Sequence, residues 1–313
     1  MRHTQKYFQE NGIKLYPTTG ERLAFRLDCT TKDIFTMFTD AAKDGAKVFD
    51  ATASYTNLRH GQEKFGNGRD SWYGWTTAQM VDAGAGKFDM APFILEREKL
   101  AKLRTSLQEQ ILPVGRTRKR CFSEHDGEWS LERQHEIQPF AATRRETGGY
   151  LPTLAIDVDF SFHAGIEASK IAAFGAFCWA IVDSIETVGL TTELALQNTG
   201  HLSGSGGDLA GTNNGLLTNV AAKAAGEYVD TMTLARCFTP GFLRRGIFLA
   251  KYAAGDALGA KLNSSLSQPF IQQRPVVSPG RLFLRREDMT ADPEKVAAWV
   301  LQALKGNNER ATA

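Results

Sequence analysis

The stretch from Leu151 to Thr199 limits the fold of this chain more than any other part. It opens on "LPTLAIDVDFSF", a short apolar run of the kind that forms a buried strand. Residues Ala164 to Val188 then read as one long helix, with Ile171, Phe174, Cys178, Ile181, Val182, Ile185 and Val188 on an almost wholly apolar side and Gly189 as its stop. "TTELALQNT" follows as a second strand, Leu194 and Leu196 facing one way. A helix this apolar needs a sheet face to cover. Two strands joined by such a crossover run parallel, so the three elements predict a βαβ unit.

Downstream, "GHLSGSGGDLAGTNNG" reads as a loop, "LLTNVAAKAAGEY" as a helix and "VDTMTLARC" as a short strand. "TPGFLRRGIFLAKYAAGDALG" is a helix opening on Thr239 with Pro240 in its first turn, "RPVVSPGRLFLRRED" holds the last strand, and a closing helix has Asp292 as N-cap and Gly306 after it. Residues 150–313 therefore predict an α/β domain with a doubly wound, mostly parallel, Rossmann-like sheet. Residues 1–149 predict a mainly helical, irregular region. Its helices are "TTKDIFTMFTDAAKDG", a short one from about Thr76, and Pro92 to Pro113 with Leu95, Leu100, Leu103, Leu107 and Ile111 on one stripe. A polar connector occupies 116–149.

Charge and cysteine usage narrow the setting. Thirty-seven basic and thirty-five acidic side chains leave a net charge of +2, so nucleic-acid or membrane binding would have to come from local clusters. The four cysteines, Cys29, Cys121, Cys178 and Cys237, stand singly, which argues against a zinc ribbon or disulfide framework and for free thiols in a reducing compartment. The N-terminus lacks an apolar signal core. The most apolar segment, Ile166 to Leu190, carries Glu167, Lys170, Asp183 and Glu186, costly groups inside a bilayer. The expectation is a cytoplasmic protein with no membrane partner.

In "LAIDVDFSFH", Asp157, Asp159, Ser161 and His163 recur at every second position. Carboxylates in the middle of an interior parallel strand are expensive, so they are expected near its C-terminal end, where open α/β sheets bind ligands. There Asp159 and Ser161 offer the hard oxygen ligands that Mg²⁺ favours, and His163 a softer one. The same alternation also fits one half-exposed antiparallel strand, and both readings stand at this point.

The order of apolar strand, Asp-x-Ser turn, long helix and strand after a glycine resembles the von Willebrand factor A-like domain, including the form fused to cobalt and magnesium chelatases. The resemblance covers about half the chain and implies metal-adhesion ligands at Asp159 and Ser161, with Asp157 beside them. His163 stands where that family has a second serine, and Thr212 and Asp208 are the nearest counterparts of its further ligands. A degenerate adhesion site that binds or assembles with a protein partner is the function this implies, with Mg²⁺ as the cofactor if any is held. The stretches "SWYGWTTAQMVDAGAGKF", "DGEWSLER" and "FTPGFLRRGIFLAK" also resemble an uncharacterised set of proteins from bacteriophages and other mobile elements, which implies a host-cell cytoplasmic setting.

Two rival readings come from a different chemistry. Asp157, Asp159 and Ser161 mimic the first motif of haloacid-dehalogenase-like, Mg²⁺-dependent phosphotransferases, with Asp157 as nucleophile, Asp159 as general acid/base and Thr199 as a later hydroxyl; Glu287 and Asp288 are the nearest later acids. The basic clusters Arg116, Arg118, Lys119, Arg120 and Arg144, Arg145 suit phosphate or nucleic-acid contact. Arg244 and Arg245 read as a solvated helix face.

Overall fold

A computed structural model describes residues 3–18, 23–48, 77–111, 119–123, 128–129, 140–144, 153–162, 166–204, 213–227, 230–262 and 275–311. Helix α1 (His3–Glu10) leads into strands β1 (Lys14–Pro17) and β2 (Leu23–Thr30), followed by α2 (Thr31–Val48), α3 (Thr77–Gly84), α4 (Ala91–Lys99) and α5 (Ala101–Ile111). Three short strands come next, β3 (Lys119–Ser123), β4 (Glu128–Trp129) and β5 (Phe140–Arg144). Then follow β6 (Thr153–Asp159), α6 (Ala168–Thr187), β7 (Thr191–Gly204), β8 (Asn213–Lys223) and α7 (Thr231–Cys237). A π-helical segment (Phe242–Ile247) runs into α8 (Phe248–Leu258), and β9 (Ala260–Leu262), β10 (Val277–Ser278), β11 (Arg281–Leu284), a 3₁₀ turn (Arg286–Thr290) and α9 (Pro293–Ala311) complete the chain.

This is a mixed α/β fold. The main sheet runs β1-β2-β8-β7-β6-β11-β10, with β9 pairing the far end of β7. The expected βαβ unit is its centre: β6 and β7 are parallel, Asp157 opposite Ala195 and Asp159 opposite Gln197, with α6 as the crossover. Strand β11 lies parallel on the other side of β6. Gly189 ends α6 as expected, its φ of 88° letting Leu190 N–H return to the Ile185 carbonyl (3.2 Å).

Several expectations are corrected. "LLTNVAAK" is strand β8, antiparallel to β7 and parallel to β2; pairing on both sides outweighs the local helical pattern of Leu216, Leu217, Val220 and Ala221. "TMTLARC" is helix α7 because Asp230 caps it, its carboxylate accepting from Met232 N–H (3.0 Å) and from the Thr233 hydroxyl. The region before residue 149 contributes strands as well as helices. β2 lies between β1 and β8, so strands from both sides of residue 149 share the main sheet. Within the stretch expected to be a connector, the described residues form a three-stranded antiparallel sheet, β3-β5-β4. The stripe from Pro92 to Pro113 breaks at Leu100 into α4 and α5; Phe93, Leu103, Leu107 and Ile111 are buried while Leu95 is exposed.

Strands β2, β6, β7, β8 and β11 send one set of side chains into a single core: Leu27 and Cys29, Leu154, Ile156 and Val158, with Phe160 just beyond β6, Leu194 and Leu196, Leu216 and Val220, Leu282 and Leu284. A doubly wound sheet implies an apolar core on each face. Here the core cluster lies on one, and Leu217 and Phe283, which alternate to the opposite face, are buried outside it. Against the core face pack α2, α6, the π segment with α8, and α9; α4 and α5 cover the back of α6. Sandwiched this way, α6 is apolar nearly all round. Among the described residues it is the one helix long and apolar enough to cross a membrane, with a mean hydropathy of 1.4, and 72% of that window is buried inside the fold.

Close packing shows at Gly175, where an added Cβ would sit 2.4 Å from the Phe238 side chain, so α6 and α7 meet there without room for a methyl group. Phe160, Phe162, Phe174 and Phe238 interlock edge to face around that contact, centroids 5.1–6.0 Å apart. A polar cluster around Lys251 lies within the core. Lys251, fully buried, donates to Asn198 Oδ1 and the Thr199 carbonyl (2.7 Å), and Asn198 in turn donates to the Phe160 carbonyl (2.7 Å). Burial alone drives the Lys251 ammonium well below its ordinary pKa. Arg244 and Arg245, expected on a solvated face, are buried in the π segment, Arg244 donating to the Ile166 carbonyl (3.0 Å).

Candidate functional site

Because β6 has parallel neighbours on both sides, it is the interior strand that the sequence predicts. Its acids have different fates. Asp157 does not reach a rim: it sits mid-strand at 3% exposure, ion-paired with Arg281 of the adjacent β11. An arginine from the next strand supplies what solvent would otherwise provide. Asp159 ends the strand as expected. Its Oδ1 accepts the Ser161 backbone N–H (3.0 Å), closing an Asx turn, and Ser161 Oγ accepts the Thr199 N–H (3.4 Å), tying that turn to β7. Burial raises the Asp159 carboxyl above the usual carboxylate range; the Ser161 hydrogen bonds oppose this, and Glu287 adds to it.

Alternation and register then build a surface that the sequence does not announce. On the face opposite the core, Asp159 neighbours Gln197, Gln197 neighbours Asn219 and Asn219 neighbours Asp28. Gln197 Nε2 donates to Asn219 Oδ1 (3.4 Å), and Asn219 Nδ2 donates to Asp28 Oδ1 (3.0 Å). The same Asp28 oxygen accepts Arg26 Nε (2.7 Å), and Oδ2 accepts the Tyr16 hydroxyl (2.5 Å). That hydrogen bond raises the Tyr16 phenol above its ordinary pKa. The result is a hydrogen-bonded band across β1, β2, β8 and β7 that stops one strand short of Asp159. Tyr16 is 37% exposed, Arg26, Asp28 and Asn219 are half-buried, and Gln197 is buried, so the band opens to solvent only toward β1 and β2.

Tyr16, Arg26, Asp28, Gln197 and Asn219 were not singled out by sequence. The signal available was the period-2 pattern of "LAFRLDCT", with Phe25, Leu27 and Cys29 alternating against Arg26 and Asp28. Their convergence could not be read, because Asp28 and its partner Asn219 are 191 residues apart.

The other expected site residues are dispersed. His163, Asp208, Thr212, Arg116, Arg118 and Arg145 lie outside the described residues. Lys119 and Arg120 are on β3 and Arg144 on β5, and the register sets Lys119 directly opposite Arg144, so the fold joins the two basic stretches at one end of the small sheet. Glu287 and Asp288 lie in the turn after β11, where Asp288 accepts the Arg285 N–H (2.7 Å) as a cap. Among the described residues, no group of three or more His, Cys, Asp or Glu side chains is placed to hold a metal. Asp159 Oδ1 and Ser161 Oγ each accept one backbone N–H, which leaves further lone pairs on both groups.

The central strands carrying Asp157, Asp159, Gln197 and Asn219 fall inside residues 33–276, which match a family model described as a domain of unknown function, DUF7192. No curated protein and no solved structure gives a significant match. Since the matched stretch is well over half of the chain, the protein belongs to the DUF7192 family.

Proposed function

We propose that this protein is a non-enzymatic binding or assembly protein that engages a protein partner through the β1–β2 end of the polar face of its sheet, where Tyr16 is exposed and Arg26 and Asp28 are half-buried. The hydrogen-bonded band of Tyr16, Arg26, Asp28, Asn219 and Gln197 carries this reading. Side chains already held by one another and by strand backbone lose little freedom when a partner docks. Tyrosine and arginine, which stand at the open edge of the band, are the residue types that anchor interfaces. In this reading the A-domain-like order of strand, helix and strand supplies the scaffold. Asp159 and Ser161 are a degenerate adhesion turn, and a bacteriophage or mobile-element setting in the host cytoplasm rests on the sequence resemblance.

The test compares affinity capture by the wild-type chain and a Tyr16→Ala/Arg26→Ala variant, both from lysate of the encoding cell and both checked for equal melting temperature. A defined partner held by the first and lost by the second is expected, at a cost of about 2 kcal/mol or more. Identical captured sets would refute the proposal.

One observation favours a second reading, nucleic-acid association. The register pairs Lys119 with Arg144, so the strand backbones bring residues of both basic stretches to one end of the small sheet, and basic residue types suit phosphate contact. Binding to random DNA or RNA that falls steeply with salt and weakens in Lys119→Ala/Arg144→Ala would support it.

A further inference from the structure

We infer that the cleft between α2, α3 and α7 is a binding site for a small organic anion, a carboxylate or phosphate carried on an apolar body. The cleft measures about 370 Å³, within the range of small-molecule sites. Lys32 and Asp40 of α2, Val81 and Gly84 of α3 and Arg236 of α7 stand around Phe35. Two cations face one carboxylate, and that carboxylate is engaged: Asp40 Oδ2 accepts the Tyr7 hydroxyl (2.8 Å). Among the described residues neither Lys32 nor Arg236 pairs with an acid, so the lining keeps a net positive charge.

Arg236 is held in place but not saturated. Its guanidinium lies over the Phe35 ring, 4.9 Å from the centroid, and donates to the Ala83 carbonyl (3.4 Å) and the Thr233 hydroxyl (3.1 Å). Nε is buried without an acceptor among the described residues. A guanidinium has five donors in a planar fork, so more than one remains for a planar anion. Phe35 is fixed from behind by Phe242 (5.3 Å between centroids), and Gly84 keeps the wall back: a Cβ there would stand 3.3 Å from Phe35. The cleft therefore joins a positive rim to an apolar floor. It is distinct from the polar band, because α2 packs on the core face of β2 and β8 and the band lies on the other.

Titration calorimetry of the full chain with phenyl phosphate, benzoate and inorganic phosphate tests this. Saturable binding of at least one aryl anion is expected, tighter than inorganic phosphate and about tenfold weaker in Arg236→Gln, where charge-assisted hydrogen bonds are lost. The exposed Lys32→Gln variant, which removes no packing, should weaken it several-fold, while Lys87→Gln, exposed and outside the lining, should leave it unchanged. The two aryl arms separate carboxylate from phosphate preference. No saturable heat with either aryl anion, equal binding of inorganic phosphate, or undiminished binding by Lys32→Gln would overturn the proposal.

Discussion

On one face of β6, β7 and β8 sit Ile156, Val158, Leu196 and Val220, each exposed by 1% or less; on the other sit Asp157, Gln197 and Asn219, bound to Arg281, to one another and to Asp28. The backbone is common to both, so the contrast isolates what each set of side chains contributes. Apolar burial is worth roughly 25 cal/mol per Å² and accumulates over the whole core face. A polar pair that trades water for a neighbour nets only about 0.5–1.5 kcal/mol. A band of such pairs contributes little to folding for the number of residues it occupies, and Asp157 and Gln197 make theirs while buried, at 3% and 2% exposure.

The strongest way to break this contrast is at Phe174. It is fully buried and packs edge to face on Phe162 and Phe238, at 5.8 and 6.0 Å. Phe174→Ala should cost about 3–5 kcal/mol, read as a fall in the urea midpoint, because the lost transfer energy adds to a cavity that interlocked rings cannot close. A loss below about 1 kcal/mol would mean that the ring cluster is not the keystone of the core face.

Lys251 sharpens the comparison, a basic group fully buried on the apolar side. Lys251→Met should cost about 1–3 kcal/mol, since Asn198 Oδ1 and the Thr199 carbonyl lose their donor inside the core. Its pH signature is more specific. With the folded-state pKa driven well below the ordinary lysine value by burial, the unfolded chain binds the proton that the folded chain sheds, so the stability contribution rises with pH between those two values. It is complete above the unfolded pKa and lost as pH falls through the folded one. Denaturant unfolding across that window should show this slope in the wild type and not in Lys251→Met; parallel curves would sink the assignment.

What the sequence made legible follows the same division. The β6-α6-β7 unit could be read because its signals are local: one long apolar helix, one glycine stop, and strands on either side. Strand β8 could not, since Leu216, Leu217, Val220 and Ala221 satisfy a helical period as well as a strand's, and only its pairing with β7 and β2 decides. Asp157 and Asp159 were visible as acids on an interior strand. Their separate fates depend on Arg281, 124 residues from Asp157, and on an Asx turn made within two residues of Asp159. The first is a long-range contact, which no window-based pattern reports.

The smallest effect is expected at Asp159, and it tests the polar face most directly. Burial raises its carboxyl above the usual range, so the folded chain holds a proton that the unfolded chain releases. That group favours folding below its unfolded pKa, and the advantage disappears as pH rises through the folded value. Asp159→Asn keeps an oxygen able to accept the Ser161 N–H and removes the buried charge. Melting temperatures should therefore be equal to wild type or higher at neutral pH, by less than about 1 kcal/mol, with the gain vanishing in acid. The same pair of proteins decides whether Asp159 holds a cation. Added Mg²⁺ that stabilises the wild type and not Asp159→Asn would make this residue a working ligand, since a ligand selective for the folded state must raise its stability. Absence of any such difference would confine Asp159 to its turn with the Ser161 N–H.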